Sequence, residues 1–236
     1  MKNWVKIASI YIGTVIGAGF ASGREIIEFF GVYGFKGIWG MIIAGLLFSL
    51  VGSSLLIKVY DKKIEGFDEL VSHLFGKKVG FFLDVIMTFS LYTGFSVMIA
   101  GSGAIFKEEL GLSFNIGIVF MIMCAFIVFL FSLEGISFIN SILVPLLIIG
   151  IIFTSFYVNM REGYNFSNIQ GASITGKGNF LTSSLLYFGS NSLIIIVVFS
   201  SLLPLIDNKK TALLGGVSGG VILTILGISI LVSILI

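Results

Sequence analysis

The chain has 236 residues, of which 57% are hydrophobic and only 11% charged, more apolar side chain than a soluble domain buries around one core. Its net charge of +2 is scattered in short clusters between apolar runs, so there is no basic patch to hold a nucleic acid. Cys124 is the single cysteine, which excludes an intrachain disulfide and reads as a small packed apolar residue.

Between the charge clusters lie runs long enough to cross a hydrocarbon layer of about 30 Å, which takes about 20 helical residues. Seven helical spans are predicted, over 5–31, 37–58, 79–106, 111–132, 136–159, 179–206 and 211–236. Helices keep their backbone hydrogen bonds internal, as lipid demands. Runs such as Ile118 to Leu130 are apolar on every side and do not alternate as barrel strands would. Lys2 and Lys6 lead into a segment that runs on past Gly-Arg-Glu to Phe35, so it reads as a retained span and not as a cleaved signal peptide.

The first span carries Gly13-Thr14-Val15-Ile16-Gly17-Ala18-Gly19-Phe20-Ala21-Ser22-Gly23 at its middle. Each glycine there costs roughly 0.8 to 1 kcal/mol against alanine, so the helix is predicted to be interrupted. Gly13 with Gly17, and Gly19 with Gly23, lie four apart and would also admit a close-packed neighbouring helix. Arg24, Glu25 and Glu28 follow at once, and each would cost about 2.5 to 3.5 kcal/mol at the centre of a lipid-facing helix. This span is therefore expected to face protein or water. Arg24 and Glu28 are one turn apart and can pair, either as a structural pair or as a gate, whereas Glu25 points about 100° away and lacks that partner. The Gly17-x-Gly19 pattern is not a nucleotide loop, because Gly23 falls one place late and no strand and helix alternation follows.

After the second span, Phe67, Leu70, Val71, Leu74 and Phe75 recur at helical spacing beside Asp68, Glu69, Ser72 and His73, ahead of Gly76. A short amphipathic helix on the inner membrane surface is predicted, with His73 on its polar face and without function. Asp84 in span three and Glu134 at the inner end of span four read as interfacial charges. The outer loop between Asn159 and Asn179 is rich in Gly, Asn and Ser.

Span six contains Tyr187-Phe188-Gly189-Ser190-Asn191-Ser192 between two apolar runs. A glycine with three small polar residues weakens a helix, and a second interruption is expected here, against the alternative that these side chains bond to neighbouring helices. Spans one and six are five apart and cross in opposite directions, the pattern of an inverted repeat with paired broken helices. A broken helix frees carbonyls that suit an ammonium or Na⁺ and N–H groups that suit a carboxylate. Lysine and arginine counts place the N-terminus inside: Lys2, Lys6, Lys58, Lys62, Lys63, Lys77, Lys78, Lys209 and Lys210 fall on one side, and Lys36, Lys107, Arg161 and Lys177 on the other.

Gly13-x-x-Ile16-Gly17-x-Gly19, ending in Gly-Arg-Glu, resembles the first helix of LeuT-fold transporters of the amino acid-polyamine-organocation superfamily. Within that group the segment is similar to the YkvI-type bacterial membrane proteins. The resemblance implies an all-α bundle in which 1–159 is a first five-helix repeat, 160–178 an extracellular loop and 179–236 the first two helices of a second repeat. By the same resemblance the chain is truncated after its seventh span. It implies that Gly17, Ala18, Gly19, Phe20 and Ser22, with Phe188, Gly189 and Asn191, line a substrate site, and that Tyr92 reaches a substrate carboxylate. Gly13 and Ile16 become candidate ion ligands, and Arg24, Glu25 and Glu28 candidate gate residues. Phe20 stands where some sodium-coupled relatives carry an ion-binding asparagine, which argues against a second ion site.

The expected function is secondary transport of an amino acid or similar small zwitterion or organocation, coupled to Na⁺ or H⁺, in a bacterial cell membrane. The alternative is a ligand-sensing or assembly subunit of the same fold that binds without transporting. No enzyme activity, metal, cofactor or nucleic-acid partner is expected, since no nucleophile and base arrangement or metal-ligand spacing occurs. The lipid bilayer, a small-molecule substrate and an oligomeric partner are the expected associations.

Overall fold

The computed structural model describes residues 2–162 and 178–235, and every regular element among them is helical. The first span forms three short helices, α1 (Asn3–Val15), α2 (Ala18–Ala21) and α3 (Arg24–Phe29), followed by a single 3₁₀ turn, Gly31–Tyr33. Then come α4 (Phe35–Lys62), α5 (Phe67–Phe75), α6 (Lys77–Glu108), α7 (Phe114–Leu130), α8 (Ser132–Glu162), α9 (Phe180–Ser200) and α10 (Lys209–Leu235). Five of these, α4, α6, α8, α9 and α10, are long and apolar enough to cross a membrane. Of the two further spans expected, α7 has 17 residues, about 26 Å at 1.5 Å per residue, and the first span is divided. Most of the loop expected over 160–178 lies outside the described residues.

The described helices fall into two compact units, Met1–Glu65 with Asn140–Ile236, and Gly66–Ile139. In the first unit, spans one, two, six and seven pack together. α10 lies between α4 and α1, and its sequence explains how. Gly216, Gly220, Thr224 and Gly227 meet Ser53, Ser49, Gly45 and Met41 of α4 in turn, an antiparallel register in which one partner at each level is small or flexible. On the adjacent face, Gly215 and Gly219 meet Ile7 and Tyr11 of α1, in parallel register. A side chain at any of these glycines would collide with its neighbour, and small residues are what permit such close approach between membrane helices. Tyr11 is fully buried; its hydroxyl donates to the Phe48 carbonyl at 2.8 Å, and its ring meets Phe199 edge-on at 4.7 Å. At the N-terminal end of α1, Asn3 Nδ2 donates to both Asp207 carboxylate oxygens at 2.9 and 3.0 Å, and Lys209 pairs with Asp61 at 2.8 Å.

In the second unit, the amphipathic segment folds as read, with Leu70 and Val71 buried against α6 and His73 exposed. Asp68 and Glu69 sit in the first turn of α5, where they complement the helix dipole, and Gly76, at φ 82°, ends it. Glu134 lies in the first turn of α8 and not at the end of span four, because Ser132, at φ 48°, turns the chain before it.

Candidate functional site

The first span breaks where its glycines cluster. α1 ends at Val15, and Ile16 leaves the helical region at φ −76°, ψ 94° while its N–H still donates to the Ile12 carbonyl. The Gly17 N–H turns back to the Val15 carbonyl at 3.0 Å, so the Gly13 carbonyl is not met by the donor four residues on. α2 makes one turn, with Ala21 N–H on the Gly17 carbonyl, and Ser22 Oγ donates to the Gly19 carbonyl at 3.3 Å. Gly23 then adopts φ +76°, a left-handed conformation that an L side chain adopts only at a cost, and re-aims the chain into α3.

The break is lined unevenly. A Cβ at Gly17 would meet nothing within 4 Å, whereas one at Gly19 would occupy the space taken by the Glu25 carboxylate. Phe20 is fully buried and Ser22 exposed, so the two candidate residues face opposite surroundings. Ile16 is 9% exposed, and the amide oxygen of Asn140 on α8 lies in the space a Gly13 side chain would fill. Arg24 Nε pairs with Glu28 Oε1 at 3.1 Å across one turn, and both side chains reach solvent or headgroups. Glu25 is half-buried and makes no ion pair among the described residues.

The expected second interruption does not form: α9 runs without a break from Phe180 to Ser200. The polar side chains at its middle bond to their own helix. Ser190 Oγ and Asn191 Nδ2 donate to the Tyr187 carbonyl at 2.9 and 3.0 Å, and Ser192 Oγ donates to the Gly189 carbonyl at 2.8 Å. One glycine is too small a penalty to open a helix whose polar side chains are satisfied three and four residues back.

α9 nevertheless packs on the broken span. Ser183 Oγ donates to the Phe29 carbonyl at 2.6 Å, and the Tyr187 ring lies 5.2 Å from those of both Phe29 and Phe30 and 5.9 Å from that of Phe48. Phe188 is half-buried, with its ring 5.2 Å from that of Phe48, and a Cβ at Gly189 would meet nothing within 4 Å. The structure thus gathers the break, Glu25, Phe188 and Asn191 in one unit. Tyr92 belongs to the other unit, where it is 73% exposed on α6.

Two polar groups in the first unit were not singled out as site residues by sequence. Tyr187 is fully buried against Phe29, with a hydroxyl that has no hydrogen-bond partner among the described residues. Asn140 was legible only as an amide between Ser137 and Ser141 in a largely apolar run.

No family model matches the chain, and no solved structure matches it. The chain is 35% identical over 223 residues to the uncharacterized membrane protein YkvI of Bacillus subtilis (strain 168), a match covering 93% of this chain and 63% of that protein. It is 33% identical over 146 residues to the uncharacterized protein YyaD of the same organism, covering 61% and 41% respectively. The chain therefore spans less than two thirds of the length of either relative. With its long apolar helices, this homology makes it a multi-pass membrane protein.

Proposed function

We propose that the protein is a secondary active transporter of an amino acid or similar small zwitterion or organocation, with its ligand held at the interrupted first span. The observation that carries this reading is the break at Ile16–Gly17. There the last carbonyls of α1 lose their helical donors beside open space at Gly17, within a span too costly in charge to face lipid. Backbone oxygens freed in this way are acceptors for an ammonium group or a small cation without any dedicated side chain.

The packing of spans one, two, six and seven into one unit supports a LeuT-like inverted repeat, in which six answers one and seven answers two. The parallel register of α1 with α10 and the antiparallel register of α4 with α10 are those that alternating crossings require. With α9 continuous, the ligand site rests on one interruption and on the intact face of α9 that bears Phe188 and Asn191. The lysine distribution supports an N-terminus on the cytoplasmic side. Alternating access then follows from movement of α1 and α3 against their neighbours, driven by Na⁺ or H⁺.

The test is uptake into proteoliposomes containing the purified full-length protein, with each of the twenty standard amino acids as labelled solute. Accumulation that collapses when both the Na⁺ and H⁺ gradients are dissipated is the expected result. Binding without accumulation would instead assign a ligand-sensing subunit.

A further inference from the structure

Glu25 is a carboxyl group without a cationic partner among the described residues. Arg24, its neighbour in sequence, is engaged by Glu28, and the described residues offer Glu25 no other ion-pair partner. Glu28 lies on the same helix, and Tyr187 of α9 packs its ring 5.2 Å from that of Phe29, one turn on from Glu25 along α3; neither supplies positive charge. A half-buried carboxylate within a span is costly unless something pairs with it. Its position is also set by the sequence, because the absence of a side chain at Gly19 is what lets the carboxylate fold back against the break.

A second observation lies on α9, against the same turn of α3. The Tyr187 hydroxyl is fully buried and has no hydrogen-bond partner among the described residues, although its ring is fixed by Phe29, Phe30 and Phe48. A buried hydroxyl left unpaired is destabilising, and an arriving partner is one way in which such a group is satisfied. A group with N–H donors, entering between Glu25 and Tyr187, would satisfy both at once. The aromatic faces of Phe29 and Tyr187 would favour that donor if it carried positive charge.

We infer that Glu25 is the docking point for the substrate's ammonium group and not a gate residue, with the Tyr187 hydroxyl accepting one of its N–H bonds. The ligand chemistry is a primary amine, and the carboxylate of an amino acid is not required for this contact. This rests on the ligand-site reading above, and the two separate experimentally.

The purified full-length protein is assayed by thermal shift with each of the twenty standard amino acids, with their N-acetylated counterparts, and with the amines obtained by removing their carboxyl groups. Stabilisation is expected from at least one amino acid and from its amine, and not from its acetylated form. Glu25→Gln is expected to weaken both responses by at least about tenfold without lowering the unliganded melting temperature, and Glu25→Asp to restore part of the affinity. Stabilisation by the acetylated form, or full affinity in Glu25→Gln, overturns the assignment to Glu25 and leaves the ligand site standing. Absence of any response in the unmodified protein overturns both.

Discussion

Two segments of this chain, Gly13 to Gly23 in the first span and Tyr187 to Ser192 in α9, have similar ingredients and opposite outcomes. Both place glycine and small polar residues in the middle of an apolar run. The first is broken twice, at Ile16–Gly17 and at Ser22–Gly23, and the second is not broken at all. The difference lies in how many helix-weakening residues act together. In α9 one glycine is followed by Ser190, Asn191 and Ser192, each donating to a carbonyl of the preceding turn, so the helix meets their needs internally. In the first span glycines recur at 13, 17, 19 and 23, and their penalties against a helix add over a single stretch. One glycine among small polar residues does not break a membrane helix; several glycines close together do.

The comparison can be broken by substitution. Replacing Gly19 by valine is expected to have the largest effect, because the added side chain occupies the space of the Glu25 carboxylate and displaces it from the break. Uptake of a transported amino acid should fall by more than about tenfold, and retention of normal uptake would show that the arrangement of Glu25 over Gly19 is incidental. Gly23→Ala should lower stability by roughly 1 to 2 kcal/mol, because alanine is forced into a left-handed conformation. Its Cβ would also meet Ile230 and Ile234 at 3.3 Å. Denaturant unfolding in detergent measures this, and an unchanged midpoint would mean that the turn is not held at φ +76°. Gly189→Ala should act in the opposite direction, raising stability by about 0.5 to 1 kcal/mol, since the position is helical and open. A loss of stability there would show that α9 opens at Gly189 after all.

Much of this fold was legible before any coordinates. The amphipathic helix at Phe67–Phe75 and its glycine stop follow from periodicity and from Gly76, and the ends of α4, α6 and α10 lie within a few residues of where the charges begin. The break in the first span was legible because four glycines and three charges in sequence leave few alternatives. The pairing of Arg24 with Glu28, and the isolation of Glu25, follow from helical geometry. The continuity of α9 was not legible, because the same serines and asparagine serve equally to satisfy their own helix or to reach another. The unpartnered hydroxyl of Tyr187 was invisible for a related reason: burial by Phe29, Phe30 and Phe48 is decided by tertiary packing between distant segments. The paired glycines of α10 did carry a readable signal, four residues apart on two faces, but their partners Ser49, Ser53, Ile7 and Tyr11 are known only once α10 is placed between α4 and α1.

The most direct test of the central claim is hydrogen exchange on the protein in lipid, following the backbone amides of 16–23 and of 187–192 with and without an amino acid that it binds. The amides of the first segment should exchange faster than those of the second by orders of magnitude, since they lie outside a continuous ladder, and the ligand should slow the first segment alone. Equal protection in both segments, or ligand protection confined to 187–192, would contradict a ligand site built on the broken first span.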